Sequence, residues 1–298
     1  MTKIWCQWGD LALPPSFDLI STPINHLGDE ELEEIEIYVP LYMGGLPALS
    51  PIVKMKKLKI LQLLMAGYED ALAFKRAGIK LFNARGVHDF STAELTLGLV
   101  ISSLRGIDEF VRNKDQGIWD HKRNDSIFGK SVAIVGAGSV AAKIENFLEP
   151  FGVKPTCFAR SARDRRIRGI SELDDLISNF DIIILAVPLT TETKDLFDAK
   201  RISRMKPGAL LVNVSRGPVV NTGALLNALT SGHIRAAIDV TDPEPLPSDH
   251  PLWRAPNLII SPHVGGDSAA FEPHGRKLVE EQCRRLEVGE PLLNQVAW

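Results

Sequence analysis

Three polar residues in the second half of the chain each follow a short apolar run. Arg216 comes after "LLVNVS", Glu244 stands between two prolines in "IDVTDPEPLP", and His263 closes "NLIISPH" just before "VGG". A guanidinium, a carboxylate and an imidazole are together able to hold an anion and move a proton. Singly, each has a structural explanation: a surface ion pair, loop solubility, a satisfied turn residue. At the ends of successive parallel strands they read better as one site, because open α/β sheets bind ligands at those ends.

Upstream lies a loop with its own chemistry. "KSVAIVGAGSVAAKIENFL" reads as strand, glycine turn and helix. Gly136 permits a tight turn, Gly138 lets backbone approach a pyrophosphate, and Ala141 lets helix and strand pack closely. Ser139 and Val140 open the helix, whose free N–H groups favour a phosphate. In dinucleotide sites that take NAD, an acidic residue ends the second strand and binds the adenosine ribose. That strand here is "KPTCFA", followed by Arg160 and Ser161, with no carboxylate. Arg160 and Ser161, with Arg163 as a further candidate, therefore form an expected 2′-phosphate clamp. NADP(H) is the preferred cofactor on this reading, and NAD(H) remains possible. Arg165, Arg166 and Arg168 read as a solvated charge run. No aromatic residue interleaves them, which weakens a single-strand nucleic-acid reading.

Elements must exist to place these groups. Apolar runs "KIWCQW", "FDLIST", "EIEIYVP", "KILQLLM" and "IKLFNAR" form a first set, and "SVAIVGAG", "KPTCFAR", "DIIILAVP", "ALLVNVS", "RAAIDV" and "NLIISP" a second. Continuous hydrophobicity fits strands covered on both faces, and the spacers are long enough for crossover helices. The fold class expected is α/β: two doubly wound parallel-sheet domains, a Rossmann NAD(P)-binding domain inserted into a flavodoxin-like substrate domain. "STAELTLGLVISSLRGIDEFVRNKDQGIWD" is predicted to be one long joining helix, with Ser91 or Thr92 as N-cap. A second helix, from Asp267 or Ser268 to Leu286, returns the chain. The segmentation is 1–98 plus 268–298 for the substrate domain and 99–267 for the dinucleotide-binding domain.

Bulk properties narrow the class. The chain has 298 residues, a net charge of −3 and three widely spaced cysteines, Cys6, Cys157 and Cys283. These values predict no dedicated nucleic-acid binder, no disulfide frame and a cytoplasmic location. No signal-peptide layout or membrane-length apolar run is present, so no membrane partner is expected. His88, Asp89, His121, His250 and His274 lack metal-ligand spacing and read as surface or hinge residues, so no metal is expected.

The long ordered stretch "MKPGALLVNVSRGPVVNTGALLNALTSGHIRAAIDVTDPEPLPSDHPLWRAPNLIISPHVGG" resembles the D-isomer-specific 2-hydroxyacid dehydrogenases, a group that includes glyoxylate/hydroxypyruvate reductases and phosphoglycerate dehydrogenase. The likeness runs from about residue 58 to 270. It implies that Arg216 binds the substrate carboxylate, that His263 protonates the keto oxygen, and that Glu244 orients the imidazole and raises its pKa. Carbonyl reduction asks independently for an acid, a carboxylate anchor and excluded water. The resemblance further places Ala66 and Gly67 of "LMAGYED" at the substrate carboxylate, Asp239 near the nicotinamide amide, and Val187 with Pro188 near the adenosine half. Val214 and Gly265 join the cofactor-binding set. A homodimer formed through the nucleotide domain is also implied.

Departures from the family pattern refine the expectation. Formate dehydrogenases carry Gln at the position of Glu244, and phosphite dehydrogenase has Lys where Ala66 stands. The loop "YVPLYMGGLPALSP" offers Leu41, Tyr42 and Met43 but no cation to the variable end of a substrate. A small or apolar 2-keto acid, such as glyoxylate or hydroxypyruvate, is favoured over a phosphorylated one. Arg85 is the one cation able to reverse that ranking, and its other explanation is an ion pair between domains. Pro218 replaces a usual Gly, and Asn221-Thr222 replace a usual acidic pair. Two alternatives stand beside NADPH-dependent reduction: an NAD-linked D-2-hydroxyacid or phosphoglycerate dehydrogenase, and a dinucleotide-sensing corepressor-like scaffold.

Overall fold

The computed structural model describes residues 1–163 and 166–298, so Arg165 of the arginine run lies outside the described residues. The chain divides into two compact units, 1–88 with 269–298, and 89–268.

In the first unit, β1 (Thr2–Trp5), β2 (Phe17–Ile20), β3 (Ile37–Tyr38), β4 (Ile60–Gln62) and β5 (Lys80–Phe82) pair in parallel in the order β5-β4-β3-β1-β2. This is the flavodoxin-like order. A short C-terminal strand, Gln295–Val296, adds an antiparallel edge on β5 that the apolar runs did not predict. Two residues are too few for periodicity to register. Alternate residues feed two cores: Ile4 and Ile37 face one with Phe271 and Leu278, while Trp5, Tyr38 and Leu61 face the other. The cover on the first face is the helix Phe271–Glu287, which starts a few residues later than predicted.

The second unit holds β6 (Val132–Val135), β7 (Thr156–Ala159), β8 (Ile167–Gly169), β9 (Ile182–Leu185), β10 (Leu210–Asn213), β11 (Arg235–Ile238) and β12 (Leu258–Ile260). All seven are parallel, in the order β12-β11-β10-β9-β6-β7-β8. The order reverses between β6 and β9, the switch point at which such sheets take ligands. Ile182 and Ile184 enter one core and Ile183 and Leu185 the other, so β9 is apolar at every position. β8 was not predicted. It is an edge strand with Arg168 exposed, and charge suits an edge that must not recruit another strand.

The joining helix differs from expectation at both ends. It spans Asp89–Arg105, so Ser91 and Thr92 are buried inside its first turn rather than capping it. Ser91 Oγ instead lies 2.6 Å from Ser268 Oγ. Gly106, with φ of 65°, breaks the run before a second helix, Ile107–Asp115. The expected boundary at residue 98 would cut the first helix. That helix is continuous, and its Ala93, Leu99, Val100 and Leu104 all join the core of the second sheet. It therefore belongs to the second unit from its start.

The three cysteines are free and buried. Of the histidines read as surface or hinge residues, His88 is not on the surface: it is buried at the end of the first unit's opening segment, its Nε2 lies 2.7 Å from the Leu64 carbonyl, and its ring stacks near Tyr42 and Phe271. Among the described residues no helix is long and apolar enough to cross a membrane.

Candidate active site

Arg216, Glu244 and His263 all lie in the second unit, at the C-terminal ends of β10, β11 and β12. Arg216 is half-buried and its Nη1 donates to the Ser215 carbonyl at 2.7 Å. Gly217 follows because nothing larger fits: an added Cβ would lie 1.8 Å from the Thr241 carbonyl oxygen. This approach draws the Arg216 turn against the loop that carries Glu244. Pro218 sits in the first turn of the short helix Gly217–Val219, where the missing N–H has no acceptor to lose, and its carbonyl accepts from Asp195 N–H at 2.8 Å. Asn221 caps the helix Thr222–Thr230 by accepting from Ala224 N–H, as an acidic residue would.

His263 adopts φ of 54°, a left-handed conformation unusual for a residue with a side chain. Asp239 holds it there. Its carbonyl accepts from His263 N–H at 2.7 Å. Its buried carboxylate accepts from Ser261 Oγ at 2.6 Å, Val264 N–H at 2.9 Å and Gly265 N–H at 2.8 Å. Gly265 allows this, since a Cβ there would come within 2.8 Å of Asp239 Oδ2. The carboxylate expected to serve the nicotinamide amide is thus already the frame of the histidine turn.

The imidazole Nδ1 bonds to Glu244 Oε1. A carboxylate only accepts, so Nδ1 donates, and Nε2 has no partner among the described residues. Burial pushes the Glu244 carboxyl up, but the His263 bond and charge, the Thr241 backbone and the Arg216 guanidinium hold it below the usual carboxylate range. His263 is thus bonded to that carboxylate, and the Arg216 guanidinium adds to its lowering. An anion binder, an imidazole with a free Nε2 and an ionised orienting carboxylate suit proton delivery to an oxygen beside a carboxylate.

Residues at the switch point fit a dinucleotide. Gly136 has φ of 139°, and a Cβ on it would strike the Ala186 carbonyl at 2.2 Å. A Cβ on Gly138 would meet nothing within 4 Å, so the space in front of the helix Ser139–Leu148 is open. Gly138 caps that helix without a side chain, which leaves its first N–H groups for an anion. Ala141 packs into the core beneath. Val187 and Pro188 follow β9, and Val214 follows β10. Arg160 and Ser161 are exposed at the end of β7. Arg160 adds a minor share to the lowered pKa of Glu192, whose main cause is its bond to the Thr190 side chain. Arg168 instead pairs with Glu172 at 3.1 Å, as a solvated charge does.

The remaining predicted residues belong to the first unit. Ala66 and Gly67 follow β4, and Asn83 Nδ2 donates to the Ala66 carbonyl at 2.8 Å. Leu41 is exposed, whereas the Tyr42 ring stacks on Phe271 at 3.8 Å between centroids. Arg85 is exposed on the wall of a cavity of about 720 Å³ lined also by Leu13, Lys277 and Leu293, all within this unit. Sequence reasoning missed Asn213, Ser215 and Ser261, which brace the turns of Arg216 and His263. The signal was faint: a polar residue ending an otherwise apolar strand.

Residues 97–265 match the model of the D-isomer specific 2-hydroxyacid dehydrogenase, NAD binding domain. The chain belongs to this family. It is therefore placed among NAD(P)-dependent oxidoreductases. A glyoxylate reductase of Thermofilum pendens is 34% identical over 77% of this chain and 71% of its own length. A D-3-phosphoglycerate dehydrogenase of Methanocaldococcus jannaschii is 32% identical over 90% of this chain but 52% of its own. Among solved structures, a D-isomer specific 2-hydroxyacid dehydrogenase from Xanthobacter autotrophicus Py2 in complex with NADPH and MES aligns with a TM-score of 0.78 at 27% identity, covering 99% of this dehydrogenase and 98% of that chain.

Proposed function

We propose that this dehydrogenase reduces a small or apolar 2-keto acid, of the glyoxylate or hydroxypyruvate type, to the D-2-hydroxy acid with NADPH. The observation that carries the reading is His263, fixed through Nδ1 by an ionised Glu244 with Arg216 beside them. When bound, the nicotinamide supplies hydride to the keto carbon. Arg216 binds the substrate carboxylate and polarises the keto oxygen, and His263 Nε2 delivers the proton that oxygen takes up. Glu244 keeps the ring aligned and its charge balanced. Gly136, Gly138, Ser139 and Val140 would cradle the pyrophosphate, and Arg160 with Ser161 the 2′-phosphate. Val187 and Pro188 would flank the adenosine, and Val214, Asp239 and Gly265 the nicotinamide side. Ala66 and Gly67, with Leu41, Tyr42 and Arg85, are assigned to the substrate by resemblance to the family. A glyoxylate reductase and an NADPH-bound structure among its relatives support the substrate class and cofactor.

We further propose a homodimer. Its support is a run of exposed apolar side chains, Phe110, Val111, Ile118, Trp119 and Phe128, on the second unit. A cytosolic setting accords with three free cysteines.

A panel of 2-keto acids, followed by loss of NADPH absorbance, tests the reading. Glyoxylate or hydroxypyruvate should turn over, and His263→Ala or Arg216→Ala should lower kcat/KM by about 10²-fold or more. Near-normal activity in either variant would sink it.

A further inference from the structure

We infer that Asn213 is a positioning residue whose side chain sets the direction of Arg216; the inference rests on Arg216 being the substrate-carboxylate anchor. Asn213 is the last residue of β10 and is 1% exposed. Its Oδ1 accepts from Ser215 N–H at 3.0 Å and from Ser215 Oγ at 2.6 Å. Its Nδ2 donates to the Arg216 carbonyl at 3.0 Å. The amide orientation follows from chemistry, because Ser215 N–H can only donate and the Arg216 carbonyl can only accept.

One buried side chain thus closes the turn that leads from the sheet to the guanidinium. Its backbone does more: the Asn213 carbonyl accepts from Asp239 N–H at 2.9 Å. Asp239 in turn holds the turn of His263. Carboxylate anchor and proton donor are therefore registered to each other through the ends of β10 and β11. Arginine has a long, flexible stem, and its reach is useful only if the backbone beneath it is fixed.

Asn213→Asp separates the two halves of the side chain. Aspartate still accepts from Ser215, but it turns an oxygen toward the Arg216 carbonyl, which it repels rather than binds. With glyoxylate and the wild-type cofactor, this variant should raise KM at least tenfold. Inhibition by oxalate, a planar carboxylate probe, should weaken by a similar factor. Cofactor Kd should stay within twofold, because the pyrophosphate loop is on β6. The pH profile of kcat/KM should keep its shape, because His263 and Glu244 are untouched. A variant with lower Tm but unchanged KM and oxalate inhibition overturns the inference and leaves Asn213 a purely structural residue. Should Asn213→Asp fail to fold, Ser215→Ala, which deletes one of the three bonds, decides: a threefold or larger rise in KM at constant cofactor Kd supports the inference, and an unchanged KM overturns it. Arg216→Ala is run in parallel. If it is fully active, the anchor reading itself has failed; if it is inactive while both other variants behave as wild type, only the role of Asn213 has.

Discussion

At the residue scale, the arginines after β7 divide by partner rather than by type. Arg168 is neutralised by Glu172, whereas Arg160 makes no ion pair or hydrogen bond among the described residues. A guanidinium at the end of the second strand with no such partner among the described residues, beside the exposed Ser161, suits a dianionic ribose phosphate. Arg160→Ala should therefore weaken NADPH binding about tenfold or more, roughly 1.4 kcal/mol, while NADH binding changes little. Cofactor titrations by nucleotide fluorescence measure both. Equal losses for the two cofactors, or none, would remove Arg160 from the clamp.

At the element scale, the switch point depends on strands that start in register as well as end there. Asp181, just before β9, accepts from Ser131 N–H at 2.9 Å and Ser131 Oγ at 2.8 Å, ahead of β6. It also pairs with Lys206 Nζ at 2.6 Å, ahead of β10. Burial raises its carboxyl, but these partners outweigh that and lower it to about 2. The unfolded carboxyl titrates near 3.8, so the folded state binds its proton less readily. The contribution is complete above about pH 5 and fades as pH falls through 4 toward 2. Asp181→Asn should cost about 1–2 kcal/mol at pH 7, with part of the charge screened by solvent. Denaturant unfolding should show the gap to wild type narrowing toward pH 3. A gap independent of pH would mean the loss is steric.

At the scale of the whole molecule, exposed apolar side chains recur between residues 110 and 128 of the second unit. Trp119 is 95% exposed and Phe128 82% exposed, on either side of the charged stretch 120–125. Large apolar side chains left this exposed are candidates for burial in an interface. Light scattering after gel filtration should give twice the chain mass, and the double variant Trp119→Ser, Phe128→Ser should move the protein toward monomer. An unchanged mass in the variant would direct the search for the interface elsewhere.

Much of this was legible along the chain because it depends on local pattern. Unbroken apolar runs such as "DIIILAVP" declare strands covered on both faces, and the spacing of Gly136, Gly138 and Ala141 declares a tight glycine turn between strand and helix. Arg216, Glu244 and His263 could be named because each breaks an apolar run with a charge-bearing group. Other features depend on partners distant in sequence, and no window of residues contains them. That the Asp239 carboxylate also braces Ser261, Val264 and Gly265 could be seen only once the strands lay together. Likewise, Asn213 is only a polar strand end until the turn to Arg216 closes over it. The types and spacing of Arg216, Glu244 and His263 are thus a property of the sequence, while their aim is set by hydrogen bonds that form only when β10, β11 and β12 lie side by side.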